Sequence, residues 1–215
     1  MPERVEILEY VPEEDLVKHR GIDLHHLRRY HYAADRIRGL VPGSAPVLDV
    51  ACGVGYGCEI YRCKHADVHR NQRPLVGADI SEGAIVKARA HFPQGICFCL
   101  ADMRKLCFPC GCFATVTCFE GLEHVQESEL ALVEMYRVLL PGGLFIASIP
   151  REASTNVWHR RCFPTEESIR QLMHPVFGSN YTIGTQMCEL RAYPDRDCLD
   201  TLDPFDYWVI HGRRA

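Results

Sequence analysis

No stretch of the 215-residue chain approaches the ~18 uninterrupted apolar residues that span a bilayer as a helix, so no membrane partner is expected. The first residues, MPERVEILEYVPEEDLVKHRG, lack the cationic start and apolar run of a secretory leader, which places the expected protein in the cytoplasm. Positive charge is not in excess either. Lys plus Arg number 24 against 28 Asp plus Glu, a formal net charge of -4, and that balance disfavours a nucleic-acid partner. Internal repeats and low-complexity tracts are also missing. The 47% hydrophobic and 24% charged residues belong to an ordinary folded chain rather than a disordered one.

Cysteine, by contrast, is plentiful, with twelve in the chain. A chain this long builds its own core, and with no leader its compartment is reducing, so the cysteines are read as free thiols. Cys107-x-x-Cys110-x-Cys112 has no second C-x-x-C pair to complete a zinc site. Cys97 and Cys99 alternate along a β-rich run, which puts them on one face as small buried hydrophobes.

From about residue 46 onward, short apolar runs alternate with helical periodicity, the pattern of an α/β fold. Strands are expected at Ala45–Val50, Pro74–Ile80, Ile96–Leu100, Phe113–Cys118 and Leu144–Ile149. Helices are expected at Tyr56–Lys64, at Glu82–His91 behind a Ser81 cap, and at Ser128–Leu140 before Pro141-Gly142-Gly143. Asp23–Leu40 reads as an earlier helix. Thr165 is the expected cap of a later one running through Ser168–Met173, and late strands follow at Tyr181–Leu190 and Phe205–His211. Residues 1–40 form a helical lid or acceptor segment in this reading, and 41–215 form the main domain.

The most informative run is VLDVACGVGYG at 47–57: a strand ending in the acid Asp49, then Gly53, Gly55 and Gly57 before a helix. Glycines there let a ligand approach the backbone, and the helix start offers free N–H groups. The dinucleotide pattern G-x-G-x-x-G requires glycine where Cys58 stands, which disfavours a nicotinamide cofactor. Asp79 closes the second strand, where a carboxylate can hold ribose hydroxyls. Asp102 and Met103 close the third, where they can face an adenine. The site is therefore expected on the carboxyl edge of the sheet.

Taken in order, VLDVACGVGYG, VGADIS, LADM, FATVTCFEGLEHV and LLPGGLFIASIP resemble the successive motifs of class I S-adenosylmethionine-dependent methyltransferases. The resemblance implies a Rossmann-like fold with a mostly parallel seven-stranded sheet, flanking helices and an N-terminal helical lid. It also implies S-adenosyl-L-methionine as methyl donor, contacted by Asp49, Ala51, Gly53, Gly55, Tyr56, Asp79, Ile80, Asp102, Met103 and Phe119. Ala51 stands where the family usually has glycine. HLRRYHYAA and FEGLEHV are similar to the small-molecule and surface-glycan branches, which implies a small-molecule acceptor, O-methylation of a sugar or other metabolite, and compatibility with a homodimer. An N-methyltransferase or a non-catalytic cofactor-binding module is the alternative.

An oxygen acceptor must lose a proton, and His124, in the loop after the fourth strand, is the candidate base with Glu120 beside it. The competing reading has His124 merely packing the helix that begins near Gln126. Glu120, Glu123 and His124 form E-x-x-E-H, which is similar to a metal-binding loop of ubiquinone-biosynthesis O-methyltransferases and implies a divalent ion such as Mg2+. Imidazole is an uncommon Mg2+ ligand and exposed Glu and His are common near helix starts, so Mg2+ is not favoured and no metal ligand is assigned. On the acceptor side, Arg28, Arg29, Tyr30 and His31 precede the core, and Arg151, Trp158, His159, Arg160 and Arg161 follow its fifth strand. Such groups suit an acidic or phosphorylated acceptor, or else form a solvated basic face.

Overall fold

The computed structural model describes residues 24–40, 45–65, 74–92, 94–151, 159–187 and 205–215. Helix α1 (Leu24–Leu40) is followed by β1 (Val47–Val50), α2 (Tyr56–His65), β2 (Leu75–Asp79), α3 (Glu82–His91), β3 (Ile96–Leu100) and β4 (Phe113–Phe119). A 3-10 turn (Leu122–His124) leads to α4 (Ser128–Val138), β5 (Leu139–Pro150), α5 (Glu166–Phe177), β6 (Tyr181–Met187) and β7 (Phe205–Arg213). The seven strands form one sheet in the order β3-β2-β1-β4-β5-β7-β6. β1 to β5 pair in parallel, whereas β7 runs antiparallel to both β5 and β6. The α/β, Rossmann-like expectation holds. The strand order reverses between β1 and β4, and in open sheets that switch point is where the carboxyl ends of the strands leave a crevice.

Every residue of β4 is buried, as a central strand covered on both faces requires. The period of two then divides β1. Leu48 and Val50 join Val116, Cys118, Leu132, Met135 and Phe145 on one side of the sheet. Val47 joins Leu27, Tyr30, Ile37, Ile60, Tyr61 and Ile146 on the other. Through Leu27, Tyr30, Ala33, Ala34 and Ile37, α1 belongs to this second core, which anchors it against β1, β4 and β5. Residues 1–23 of the expected lid lie outside the described residues.

Most local expectations hold. Ser81 Oγ accepts from Ala84 N at 3.2 Å, and Thr165 and Ser168 form a reciprocal capping box at the start of α5. Three details differ. Helix α4 stops at Val138, and β5 begins at Leu139 rather than Leu144, because Leu139 already pairs with Phe113 and the register shift after it absorbs Pro141-Gly142-Gly143. Helix α5 continues past Met173 to Phe177 with Pro175 inside it. Cys97 is exposed and Cys99 only half-buried, since β3 is the edge strand and this face is incompletely covered. None of the described cysteines is in a disulfide, and no helix among the described residues is long and apolar enough to cross a membrane.

Candidate active site

β1 ends in a loop held by unusual backbone. Ala51, Gly53 and Gly55 all have positive φ, at 58°, 53° and 87°. A Cβ at Gly53 would meet nothing within 4 Å, so this turn leaves its backbone open to an incoming ligand. Asp79, at the end of β2, holds the loop in place. Its Oδ2 accepts from Gly53 N and its Oδ1 from Ser81 N, each at 2.8 Å. A carboxylate has about four acceptor positions, so both oxygens retain capacity for further donors. Ile80, next to it, is 65% exposed, an apolar side chain held out in water at the sheet's carboxyl edge. Asp102 is engaged by Arg104, whose NH2 lies 2.7 Å from Oδ2, and the guanidinium's hydrogen bonds hold its carboxyl below the usual range. Met103 and Ala51 converge on Gly121, where an added Cβ would lie 2.9 Å from Ala51 Cβ and 3.4 Å from Met103 Cε. The loops after β1, β3 and β4 therefore meet at one point.

Asp49 sits beneath this loop and does not line it. It is fully buried, and its carboxylate accepts from Thr117 Oγ1 at 2.7 Å and Tyr30 OH at 3.1 Å, with Cys58 Sγ at 3.7 Å. Burial pushes its carboxyl up to about 7, against those hydrogen bonds. It ties α1, α2 and β4 together from inside, so a direct ligand contact is replaced by a positioning role. Phe119 is likewise turned inward, edge-on to Tyr30 at 4.8 Å. Tyr56 is nearly buried, and its hydroxyl shares a 2.7 Å hydrogen bond with His26 Nδ1.

Gly57 serves packing. A Cβ there would lie 2.0 Å from Cε1 and 2.2 Å from Cζ of Tyr30, so α2 can press against α1 only through a bare backbone. Gly57→Ala is expected to destabilise the protein by about 1–3 kcal/mol, the usual cost of overpacking. Urea unfolding of this variant, with and without Tyr30→Leu, checks it. A midpoint unchanged by Gly57→Ala in the parent background refutes the steric account.

Glu120 follows β4 with φ of 51°, a strained position for a side-chain-bearing residue, and its amide donates to Ser148 O at 3.1 Å. Its carboxylate is ion-paired with Arg29, which is 1% exposed, donates to Gln186 Oε1 at 2.8 Å and stacks 4.0 Å over the Tyr207 ring. This corrects the expectation of Glu120 as a catalytic group beside His124, because a carboxylate committed to a buried guanidinium is a poor base. His26 Nε2 lies 3.9 Å from the same carboxylate, but burial, with Arg29 nearby, pushes the imidazole down to about 3, so it is neutral. His26, Arg29, Gln186 and Tyr207 were not foreseen as one cluster. They come from α1, β6 and β7, and only the sheet order brings them together.

His124 does lie in the turn after β4, with its side chain 45% exposed. Glu123, by contrast, is 1% exposed, which corrects the expectation of an exposed acid. Its carbonyl accepts from Arg160 N at 2.7 Å and Arg161 N at 3.1 Å, pinning the 159–161 segment onto the turn. The basic acceptor face is also corrected. Arg29, Tyr30 and His31 are buried, Arg161 is ion-paired with Glu129, and Arg151 Nε donates to Pro164 O at 3.2 Å. Trp158 lies outside the described residues.

Known proteins resemble this chain in sequence and in fold. A family model described as a methyltransferase domain matches residues 48–147. A probable S-adenosylmethionine-dependent methyltransferase of Mycolicibacterium smegmatis is 28% identical over 165 residues, covering 73% of this chain and 61% of the relative. A demethylmenaquinone methyltransferase of Renibacterium salmoninarum is 32% identical over 156 residues, 73% of this chain and 52% of the relative. A ubiquinone/menaquinone biosynthesis C-methyltransferase of Desulfotalea psychrophila is 37% identical over 103 residues, 47% and 40%. The chain thus spans about half the length of these relatives. Among solved structures, the YcgJ protein of Bacillus subtilis superposes with a TM-score of 0.65 at 15% identity, covering 86% of this chain and 98% of that one. A putative methyltransferase of Bacillus halodurans superposes at 0.63 and 16% identity, with the same coverage.

Proposed function

We propose that the chain is a class I S-adenosylmethionine-dependent methyltransferase that binds S-adenosylmethionine across the carboxyl ends of β1, β2 and β3 and methylates a small hydroxylated metabolite. The observation that carries the donor half is the Asp79 carboxylate, fixed by Gly53 N and Ser81 N while keeping acceptor capacity for ribose hydroxyls. Gly53 gives the donor its close backbone approach, and Gly55 keeps the loop in place by packing against Phe98, whose Cζ would lie 2.6 Å from an added Cβ. Ile80 and Met103 give its adenine apolar surface, and Ala51 and Tyr56 frame the loop. Asp49 and Phe119 hold that loop from below, and Asp102 contributes through the Arg104-bound loop after β3.

In the transfer, the acceptor oxygen forms a bond to the methyl carbon as the carbon–sulfur bond breaks, and sulfur keeps the electron pair. The hydroxyl proton must leave, and the reading assigns its removal to His124. Alignment is the larger contribution, since oriented reactants gain roughly 7–11 kcal/mol over a bimolecular encounter. The relatives named for quinone C-methylation favour a second reading. There the hydroxyl of an aromatic ring loses its proton, the ring carbon made electron-rich takes the methyl group as the carbon–sulfur bond breaks, and that carbon then gives up its own proton to restore the ring while the oxygen is reprotonated.

The test is calorimetric titration with S-adenosylmethionine and S-adenosylhomocysteine, beside NADH. Micromolar binding of the first two is expected, and Asp79→Ala should weaken it roughly thirtyfold, about 2 kcal/mol for lost charge-assisted hydrogen bonds. A folded protein that binds neither removes the reading. With an isotopically labelled methyl donor, NMR of the product separates a methoxy group from a carbon-bound methyl. In either case His124→Ala should lower turnover while leaving donor affinity intact.

A further inference from the structure

We propose that Glu123, His124 and His159, in the turn after β4 and the segment fastened to it, form a binding site for one divalent ion of the zinc class. The three residues bring one carboxylate oxygen and two imidazole nitrogens within 4.8 Å of one another. They come from two separate segments, and the two are fastened together: Arg160 N and Arg161 N donate to the Glu123 carbonyl, which sets His159 against the turn. The rings of His124 and His159 then meet edge to face at 5.1 Å.

The donor set differs from E-x-x-E-H and calls for different chemistry. Glu120 belongs to Arg29, on the α1 side. Replacing a carboxylate by a second imidazole moves the preference away from Mg2+, which takes oxygen ligands, towards Zn2+ and its first-row neighbours. Three protein ligands with an open fourth position is the arrangement of catalytic zinc rather than of closed structural sites. Bonds of about 2.0–2.2 Å in a tetrahedron put donors about 3.4 Å apart. The half-exposed His124 can close that distance by rotating, whereas the almost fully buried Glu123 is fixed in the interior. The turn begins one residue after Gly121, which packs against Ala51 and Met103, so the open position lies beside the donor loop.

The ion's place in the reaction rests on the methyl-transfer reading, but its binding does not. A hydroxyl oxygen held at the open position would be more acidic, which would relieve His124 of acting as a base with a nitrogen that is now a ligand. The base reading and the ligand reading differ at His159, which has no role in the first.

The experiment is titration of the reduced, chelator-treated protein with Co2+, followed by its visible d–d absorption. One ion per chain is expected, with tetrahedral intensity, without the near-ultraviolet charge transfer of a thiolate ligand, and displaced by Zn2+. His159→Ala should weaken it at least about tenfold, since even loss of a group behind a ligand commonly costs that much. His124→Gln should do the same, and Glu123→Gln gives a third reading if it folds. Binding that survives His159→Ala unchanged, a thiolate band, or no saturable binding by the parent protein overturns the site, whether or not S-adenosylmethionine binds. Metal binding with no donor binding would leave the site standing and remove the methyl-transfer reading instead.

Discussion

Arg29→Ala is expected to destabilise the protein by about 3–5 kcal/mol, the cost of breaking a buried ion pair by removing one partner. Arg29 is almost wholly enclosed and joins three places: Glu120 after β4, Gln186 at the end of β6 and the Tyr207 ring on β7. Alanine leaves Glu120 in a left-handed backbone position without its counter-charge and Gln186 without its donor. For a chain of this size the change corresponds to a fall in melting temperature of roughly 6–20 °C. Thermal unfolding of Arg29→Ala, Glu120→Ala and the double variant checks it. The double variant should lose much less than the sum of the two single losses, because removing both charges leaves neither one stranded. Additive losses, or an Arg29→Ala protein as stable as the parent, refute the account.

The second large effect is a dependence on pH seated in Asp49. A carboxyl whose folded value lies about 7, against an ordinary 3.8, binds its proton more tightly in the folded state. The stability it contributes is fully present below about pH 4 and is lost as pH rises through about 7. The whole excursion is on the order of 4 kcal/mol. Stability from this group should therefore fall between about pH 4 and pH 7 and level off above that. Asp49→Asn should remove that slope and leave the variant more stable than the parent at pH 8. Urea midpoints measured across this interval decide it: a parent and a variant that fall in parallel would place the slope on other groups.

The strand ends that the proposed donor site uses were legible because they are local in sequence. Val47 to Gly57 and Asp79 each sit at a strand end, and the carboxyl edge follows once the strands are recognised as parallel. Gly57 was legible as a glycine but not in its reason, since nothing in the sequence says that Tyr30, 27 positions earlier, would lie across it. Asp49 shows the same limit in reverse. Its position was right and its orientation was not, because alternation along β1 turns it towards α1 and α2. The acceptor side was least legible. Arg29 finds Gln186 across 157 residues, and His159 reaches His124 only because backbone bonds to the Glu123 carbonyl carry it there. Charge counted along the sequence could not tell a solvated arginine from one enclosed by three elements.

The sheet order also bears on how the protein can be made. β7 follows β6 along the chain yet lies between β6 and β5. On the ribosome, β5 and β6 therefore emerge with a vacant lane between them, both flanks carrying unpaired amides and carbonyls, until Phe205–Arg213 arrives to fill it. Tyr207 and its cover over Arg29 come only with that last insertion. Synthesis at roughly 5–20 residues per second keeps the lane open for seconds, an interval in which a foreign strand could enter and a trigger-type chaperone would have most to protect. A message that stops short of codon 205 would yield sticky half-sheets rather than a weaker enzyme.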